Sequence, residues 1–225
     1  ERLLSMINVV DDDLVIEAKG IYSVEKFITA RRLMYWQVYL HKTVLVAEYT
    51  IMKVLKRAKE LRMKGVNLFA TPAFDFFLRN RISADDFKNN NEVIQNFSKL
   101  DDYDISTSMK VWTNHDDLIL STLCSSIINR KLFKIEIQKE PFESTIVDNI
   151  KKQTMSKYGL SDKEADYFVI NDLTSNYTYK PGSNKIGILQ NDGLVVDIAI
   201  ASDQLNISML DKPTTKYFLS YPKEL

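Results

Sequence analysis

The sequence predicts a mainly α-helical fold that gives way to a small α+β part near its C-terminal end. Three observations carry this reading. Ser23 to Lys64 contains no Gly or Pro and repeats apolar residues at three- and four-residue spacing. Helix start and stop signals then recur through Asn129. After Arg130 the pattern changes to strict alternation. Two regions follow, an all-helical one over 1–130 and an α+β one over 131–225.

In chain order, Asp11-Asp12-Asp13 reads as a turn leading into a short strand at Leu14, Val15 and Ile16. Ser23 to Lys64 reads as one very long helix or two joined end to end, stopped by Gly65. Thr71-Pro72 opens a helix through Phe77 and Leu78, and Ser83 with Asp86 forms an N-cap pair. Further helices fit Glu92 to Leu100, Ile105 to Thr113 and Asp116 to Asn129. Phe133, Ile135 and Ile137 alternate with Lys134, Glu136 and Gln138, the mark of a half-buried strand. Pro141 opens a helix that Gly159 closes after Tyr158. Strands are expected at Tyr167 to Ile170, Lys185 to Leu189, Leu194 to Ile200 and Lys216 to Tyr221, with Asn191-Asp192-Gly193 as a hairpin turn.

Composition narrows the function classes. With 225 residues, 45% of them hydrophobic, the chain can bury a sizeable core, which excludes a disordered segment. Thirty basic residues balance thirty acidic ones, so no overall field attracts nucleic acid or an anionic membrane, and either partner would need a local patch. The single Cys124 excludes an internal disulfide and a Cys-rich zinc site. No apolar stretch approaches the roughly 20 residues of a bilayer span, so a cytoplasmic location without membrane contact is expected. The chain opens at Glu1 in a helical-looking segment, and further sequence upstream is expected.

Chemistry concentrates between Ala30 and Lys42. At the helical increment of about 100° per residue, with Arg31 at zero, Lys42 falls near ~20°, Tyr35 near ~40° and Tyr39 near ~80°. Two cations and two phenols on one face suit a polyphosphate beside a flat or sugar group. The same stripe suits an amphipathic interface in which Arg and Lys stems cover the rings. His115-Asp116 could imitate part of a metal site, but with two histidines in the chain it reads better as a helix-start histidine. Lys53 to Lys64 holds six basic residues against Glu60 alone; this is read as a solvated face complementing a helix C-terminus, with nucleotide contact as the alternative. No phosphate-cradling glycine loop and no nucleophile elbow is present.

The run I-Y-S-V-E-K-F-I-T-A-R-R-L-M-Y-W-Q-V-Y-L-H-K-T-V from Ile21, with L-D-D-Y-D-I from Leu100, I-N-R-K-L-F-K from Ile128 and A-S-D-Q-L-N-I from Ala201, resembles HD-domain phosphohydrolases of the deoxynucleoside triphosphate triphosphohydrolase type. The resemblance spans nearly the full chain. It implies that 1–130 is the helical C-terminal part of an HD-type domain and 131–225 an α+β subdomain. It implies hydrolysis of deoxynucleoside triphosphates to deoxynucleoside and triphosphate, in a homo-oligomer (dimer or tetramer), with a divalent metal. The metal's His, His-Asp and Asp ligands would lie upstream of Glu1, leaving this portion inactive by itself. By resemblance to the sterile-alpha-motif HD enzymes, Arg31 and Tyr35 face the substrate triphosphate and Tyr39 packs on the deoxyribose. Tyr35 stands where those enzymes have a histidine. Lys19, His41 and Lys42 match positions that contact activating nucleotides, whereas Glu17 stands in place of an arginine. The alternative function is a non-catalytic helical regulatory or oligomerisation module.

Overall fold

A computed structural model describes residues 2–176, 186–202 and 214–225. The fold is mainly α with a small α+β part. It divides into two compact units. One comprises residues 1–41, 138–140 and the described part of 173–217; the other comprises 42–137, 141–172 and 218–225. These cuts differ from the single boundary at 130/131 suggested by sequence texture.

The first unit packs a mixed four-stranded sheet on one helix. Strands β1 (Ile7–Val10) and β2 (Asp13–Glu17) form an antiparallel hairpin. Its turn places Asp11 and Asp12 at φ of 50° and 67°, a conformation that short polar side chains tolerate. β2 pairs in parallel with β5 (Gly187–Leu189), which pairs antiparallel with β6 (Val195–Asp197). Gly187 is required at this crossing, because a Cβ there would lie 2.9 Å from Val195 and 3.1 Å from Val15. Val24 and Ile28 of α1 (Ile21–Met34) close over Ile188 and Ile198. Two expectations change here. The N-terminal region is not all helical, since its hairpin supplies half of this sheet. The strand expected over Leu194 to Ile200 ends at Asp197, whose carboxylate accepts from the Ala199 N–H at 2.8 Å and starts the short helix α10 (Ile198–Ala201). Lys185 and most of the A-S-D-Q-L-N-I run lie outside the described residues.

The second unit is built around α2 (Lys42–Met63). Its buried face, Val46, Thr50, Val54, Ala58 and Leu61, repeats every three or four residues and meets α3 (Pro72–Arg79), α6 (Asp102–Trp112) and α7 (Leu118–Ile128). Trp112 is 1% exposed, and its indole N–H donates to the Phe69 carbonyl at 3.0 Å. Between α3 and α6 run two short helices, α4 (Ala84–Asn89) and α5 (Asn91–Phe97). Ser83 with Asp86, and Asp101 with Asp104, close reciprocal capping boxes at the starts of α4 and α6. Beyond α7 come β3 (Lys134–Gln138), α8 (Ser144–Tyr158), α9 (Asp162–Ala165), β4 (Ile170–Asn176) and β7 (Thr214–Tyr221). The sheet order is β3-β7-β4, with residues 134–137, 218–221 and 170–172 belonging to this unit. Val169, Leu219 and Tyr221 pack there against Phe142, Val147 and Ile150 around α8. Tyr167 to Val169 precede the strand rather than start it.

Candidate functional site

Arg31 sits in the last turn of α1, and the backbone then widens into a π-helical turn over Tyr35–Tyr39. The Leu40 N–H donates to the Tyr35 carbonyl at 2.7 Å, five residues back, and the chain leaves the helix at Leu40 and His41. The Tyr35 and Tyr39 rings, four residues apart in this turn, lie 5.1 Å apart and tilted at 59° to each other. Arg31 Nη2 donates to the Tyr35 hydroxyl at 3.4 Å, and the guanidinium carbon lies 5.0 Å from the centre of that ring. Arg31 and Tyr39 are exposed and Tyr35 is half-buried. A cation and two phenols therefore form one continuous surface. On the far side of the same turn, Lys216 Nζ lies 4.1 Å from the Trp36 ring centre, a contact between residues 180 apart that no local pattern reveals.

The fourth member of the expected stripe behaves differently. The π turn and the break at Leu40 remove the constant helical increment on which Lys42 was aligned with Arg31. Lys42 is the first residue of α2, in the second unit, and lines a cavity of about 290 Å³ with Arg130, Phe133, Lys134 and Lys223. Lys19 is exposed, and its ammonium pairs with Glu17 two residues away. His41 is exposed at the end of the π turn, its N–H 3.4 Å from the Val38 carbonyl. His115 is a helix-start residue, its Nδ1 accepting from the Asp117 N–H at 2.9 Å.

The basic segment of α2 is more than a solvated face. Arg57 reaches Asp117 through two charge-assisted hydrogen bonds, Nε to Oδ1 at 3.1 Å and Nη2 to Oδ2 at 2.6 Å. Asp117 also accepts from the Leu120 N–H at 2.9 Å, so one carboxylate caps α7 and anchors it to α2. Burial pushes the Asp117 carboxyl up, but these Arg57 and Leu120 hydrogen bonds outweigh it and hold it below the ordinary value. Arg62 Nε donates to Asp75 at 2.6 Å, tying α2 to α3; there too burial is outweighed, by Arg62 and Arg79, and the carboxyl is held low.

Burial pushes the Cys124 thiol up to about 12, which disqualifies it as a nucleophile. Among the described residues no group of three His, Cys, Asp or Glu side chains could hold a metal ion, so they do not fit the divalent metal implied by resemblance. Among them, too, no helix is long and apolar enough to cross a membrane.

Residues 1–73, which include Arg31, Tyr35 and Tyr39, match the family model described as the HD associated region. A phosphohydrolase from Bacteroides thetaiotaomicron VPI-5482, known from its crystal structure, is 48% identical with a TM-score of 0.90, over 99% of this chain and 55% of that one. The uncharacterized protein YwfO of Bacillus subtilis strain 168 is 29% identical over 233 residues, taking in 100% of this chain and 50% of that protein. A hypothetical protein from Aquifex aeolicus, 18% identical with a TM-score of 0.60 over 100% of this chain and 48% of that one, shares the fold alone. The chain thus spans about half the length of these relatives. The HD associated region over residues 1–73 and the likeness to one half of a phosphohydrolase support a relation to HD-domain phosphohydrolases.

Proposed function

We propose that this chain supplies the phosphate- and sugar-facing surface of an HD phosphohydrolase that cleaves deoxynucleoside triphosphates to deoxynucleoside and triphosphate. The observation that carries the reading is the continuous Arg31–Tyr35–Tyr39 surface within the HD associated region. Attack of water on the α-phosphorus forms the new P–O bond as the bond to the sugar 5'-oxygen breaks, the 5'-oxygen leaving with a proton as the deoxynucleoside. A guanidinium beside the triphosphate stabilises the negative charge that gathers on the α-phosphoryl oxygens in the transition state. Arg31 fills this role. Tyr35 is a positioning residue, since its ring and hydroxyl both engage the guanidinium and limit its rotamers. Tyr39 offers an exposed phenol face to the sugar, and a ring packed there leaves no room for a 2'-hydroxyl.

The test is triphosphate release from deoxynucleoside and ribonucleoside triphosphates by the intact polypeptide carrying this chain. Release from the deoxy series alone is expected, with Arg31→Ala lowering kcat by about 10²-fold or more. Hydrolysis of some other phosphate ester, with no triphosphate released, would sink the substrate assignment. Near-normal turnover of Arg31→Ala would sink the role of Arg31.

A second reading, self-association, has its own observation. Leu4, Val9, Leu14, Leu194 and Ile200 of the first unit are each more than half exposed, which suits a face covered by a second copy. Sedimentation equilibrium decides it, since a monomer at micromolar concentration would exclude a stable homo-oligomer.

A further inference from the structure

The Lys53 to Lys64 segment has a property that the substrate surface does not use. Two adjoining cavities of the second unit open along it, one of about 560 Å³ and one of about 490 Å³, and both are lined by Lys53, Lys56 and Asp166. Lys53 and Lys56 are three apart and share one face of α2, and Lys64, in the turn just after that helix, lines the smaller cavity with them. Lys163 of α9 joins them at the wall of the smaller cavity.

Asp148 and Asp172 also line the larger cavity, whereas three acids around these lysines are committed to other groups. Asp166 receives Lys151 Nζ at 2.8 Å. Glu164 accepts from the Ser161 hydroxyl at 2.6 Å and its N–H at 3.0 Å, as the capping partner of α9. Glu60 faces Arg57 at 3.7 Å. Among the described residues, by contrast, no carboxylate lies within ion-pair distance of Lys53, Lys56, Lys64 or Lys163. Lys53, Lys56 and Arg57 instead crowd one ring, with their charged groups 5.9, 5.6 and 5.6 Å from the centre of Tyr167. Burial, then the neighbouring Lys56 charge, lowers the Lys53 pKa, outweighing the opposing pull of the Asp166 and Asp172 carboxylates. Tyr167 is 5% exposed and lines the smaller cavity, with its buried hydroxyl beside Glu60 and Arg57.

We propose that this lysine-lined cavity is a binding site for a phosphate-bearing small molecule, with Lys53, Lys56, Lys64 and Lys163 neutralising its oxygens. Several point-charge ammoniums spread over one concavity suit a ligand with several negative charges, whereas a lone carboxylate would satisfy only one. The volume accommodates an oligophosphate or a nucleotide. The site is independent of Arg31, which belongs to the other unit.

Calorimetric titration of the chain with inorganic tripolyphosphate, and separately with dATP, tests the site. Tripolyphosphate binding is expected to weaken about tenfold or more in Lys53→Gln/Lys56→Gln, and to persist in Lys53→Arg/Lys56→Arg and in Arg31→Ala. Should the double variant not fold, the exposed single changes Lys56→Gln and Lys163→Gln read the same loss on a smaller scale. Tighter dATP than tripolyphosphate makes the ligand a nucleotide, and equal affinity makes it the phosphate chain; both support the site. No binding at millimolar probe, or binding unchanged in Lys53→Gln/Lys56→Gln, overturns it. Tighter binding of a DNA duplex, lost in the same variants, overturns it in favour of a nucleic-acid face. Loss of binding in Arg31→Ala alone assigns the probe to the Arg31 surface and equally overturns the proposal.

Discussion

Arg31 and Arg57 both place a guanidinium over a tyrosine ring, at 5.0 Å from Tyr35 and 5.6 Å from Tyr167, yet they do opposite work. Arg31 is exposed, and its ring belongs to the next turn of its own chain segment. Arg57 has a side chain 12% exposed and is clamped by a carboxylate 60 residues away. A local pair organises an exposed surface within one segment of chain. A long-range pair spends the cation on joining two helices. Residue type is identical in the two cases, and the difference lies in burial and in where the acid comes from.

The largest expected effect on stability breaks the second half of this comparison. Asp117→Ala removes a helix cap and both short hydrogen bonds to Arg57, leaving only the longer contacts to Glu60 at 3.7 Å and Glu164 at 3.9 Å, which should cost about 2 kcal/mol of stability in a urea titration. A loss below about 0.5 kcal/mol would place Arg57 in the class of solvated surface charges. Arg31→Ala is the matched experiment. Its catalytic loss, about 10²-fold in kcat, corresponds to about 2.7 kcal/mol of transition-state stabilisation, while its unfolding free energy should move by no more than about 0.5 kcal/mol. Equal stability losses in the two variants would erase the distinction.

Acid sharpens the comparison further. Asp75 and Asp117 are held below the ordinary carboxylate value in the folded state. Their contribution is therefore fully present above the unfolded value, near ~3.9, and is lost as pH falls through the folded values. Stability should drop below about pH 4, and Asp117→Asn should flatten that acid limb while lowering the plateau at neutral pH. An acid limb unchanged by Asp117→Asn would show that other carboxylates set it.

Much of the fold was legible because its signals are local. The boxes at Ser83–Asp86 and Asp101–Asp104, the stop at Gly159 and the alternation through Ile135 and Ile137 each act within a few residues. The Arg31–Tyr35–Tyr39 surface was legible for the same reason. Lys42 was misaligned because a constant angular step cannot anticipate a π turn, whose i→i+5 bond from Leu40 to Tyr35 inserts extra backbone. The Arg57–Asp117 clamp and the parallel pairing of Val15 with Gly187 join residues 60 and 172 apart, and only tertiary packing selects such partners. The lysine cavity was half legible: the charges stood in the sequence, but the commitment of Glu60, Glu164 and Asp166 to other groups did not.

The smallest effect isolates backbone from charge. Gly159 ends α8 at φ 65°, and nothing lies within 4 Å of a Cβ built on it. Gly159→Ala therefore meets no steric obstacle, and its whole cost is the left-handed conformation, about 1 kcal/mol or a fall of roughly 2–4 °C in Tm. Because no cation or acid of either arginine site changes, the triphosphate release proposed for the intact polypeptide should keep its wild-type kcat at temperatures well below the transition. A parallel fall in kcat would mean that the Arg31 surface depends on the integrity of α8, and the separation between a binding arginine and a structural one would then have to be drawn at the level of the whole chain.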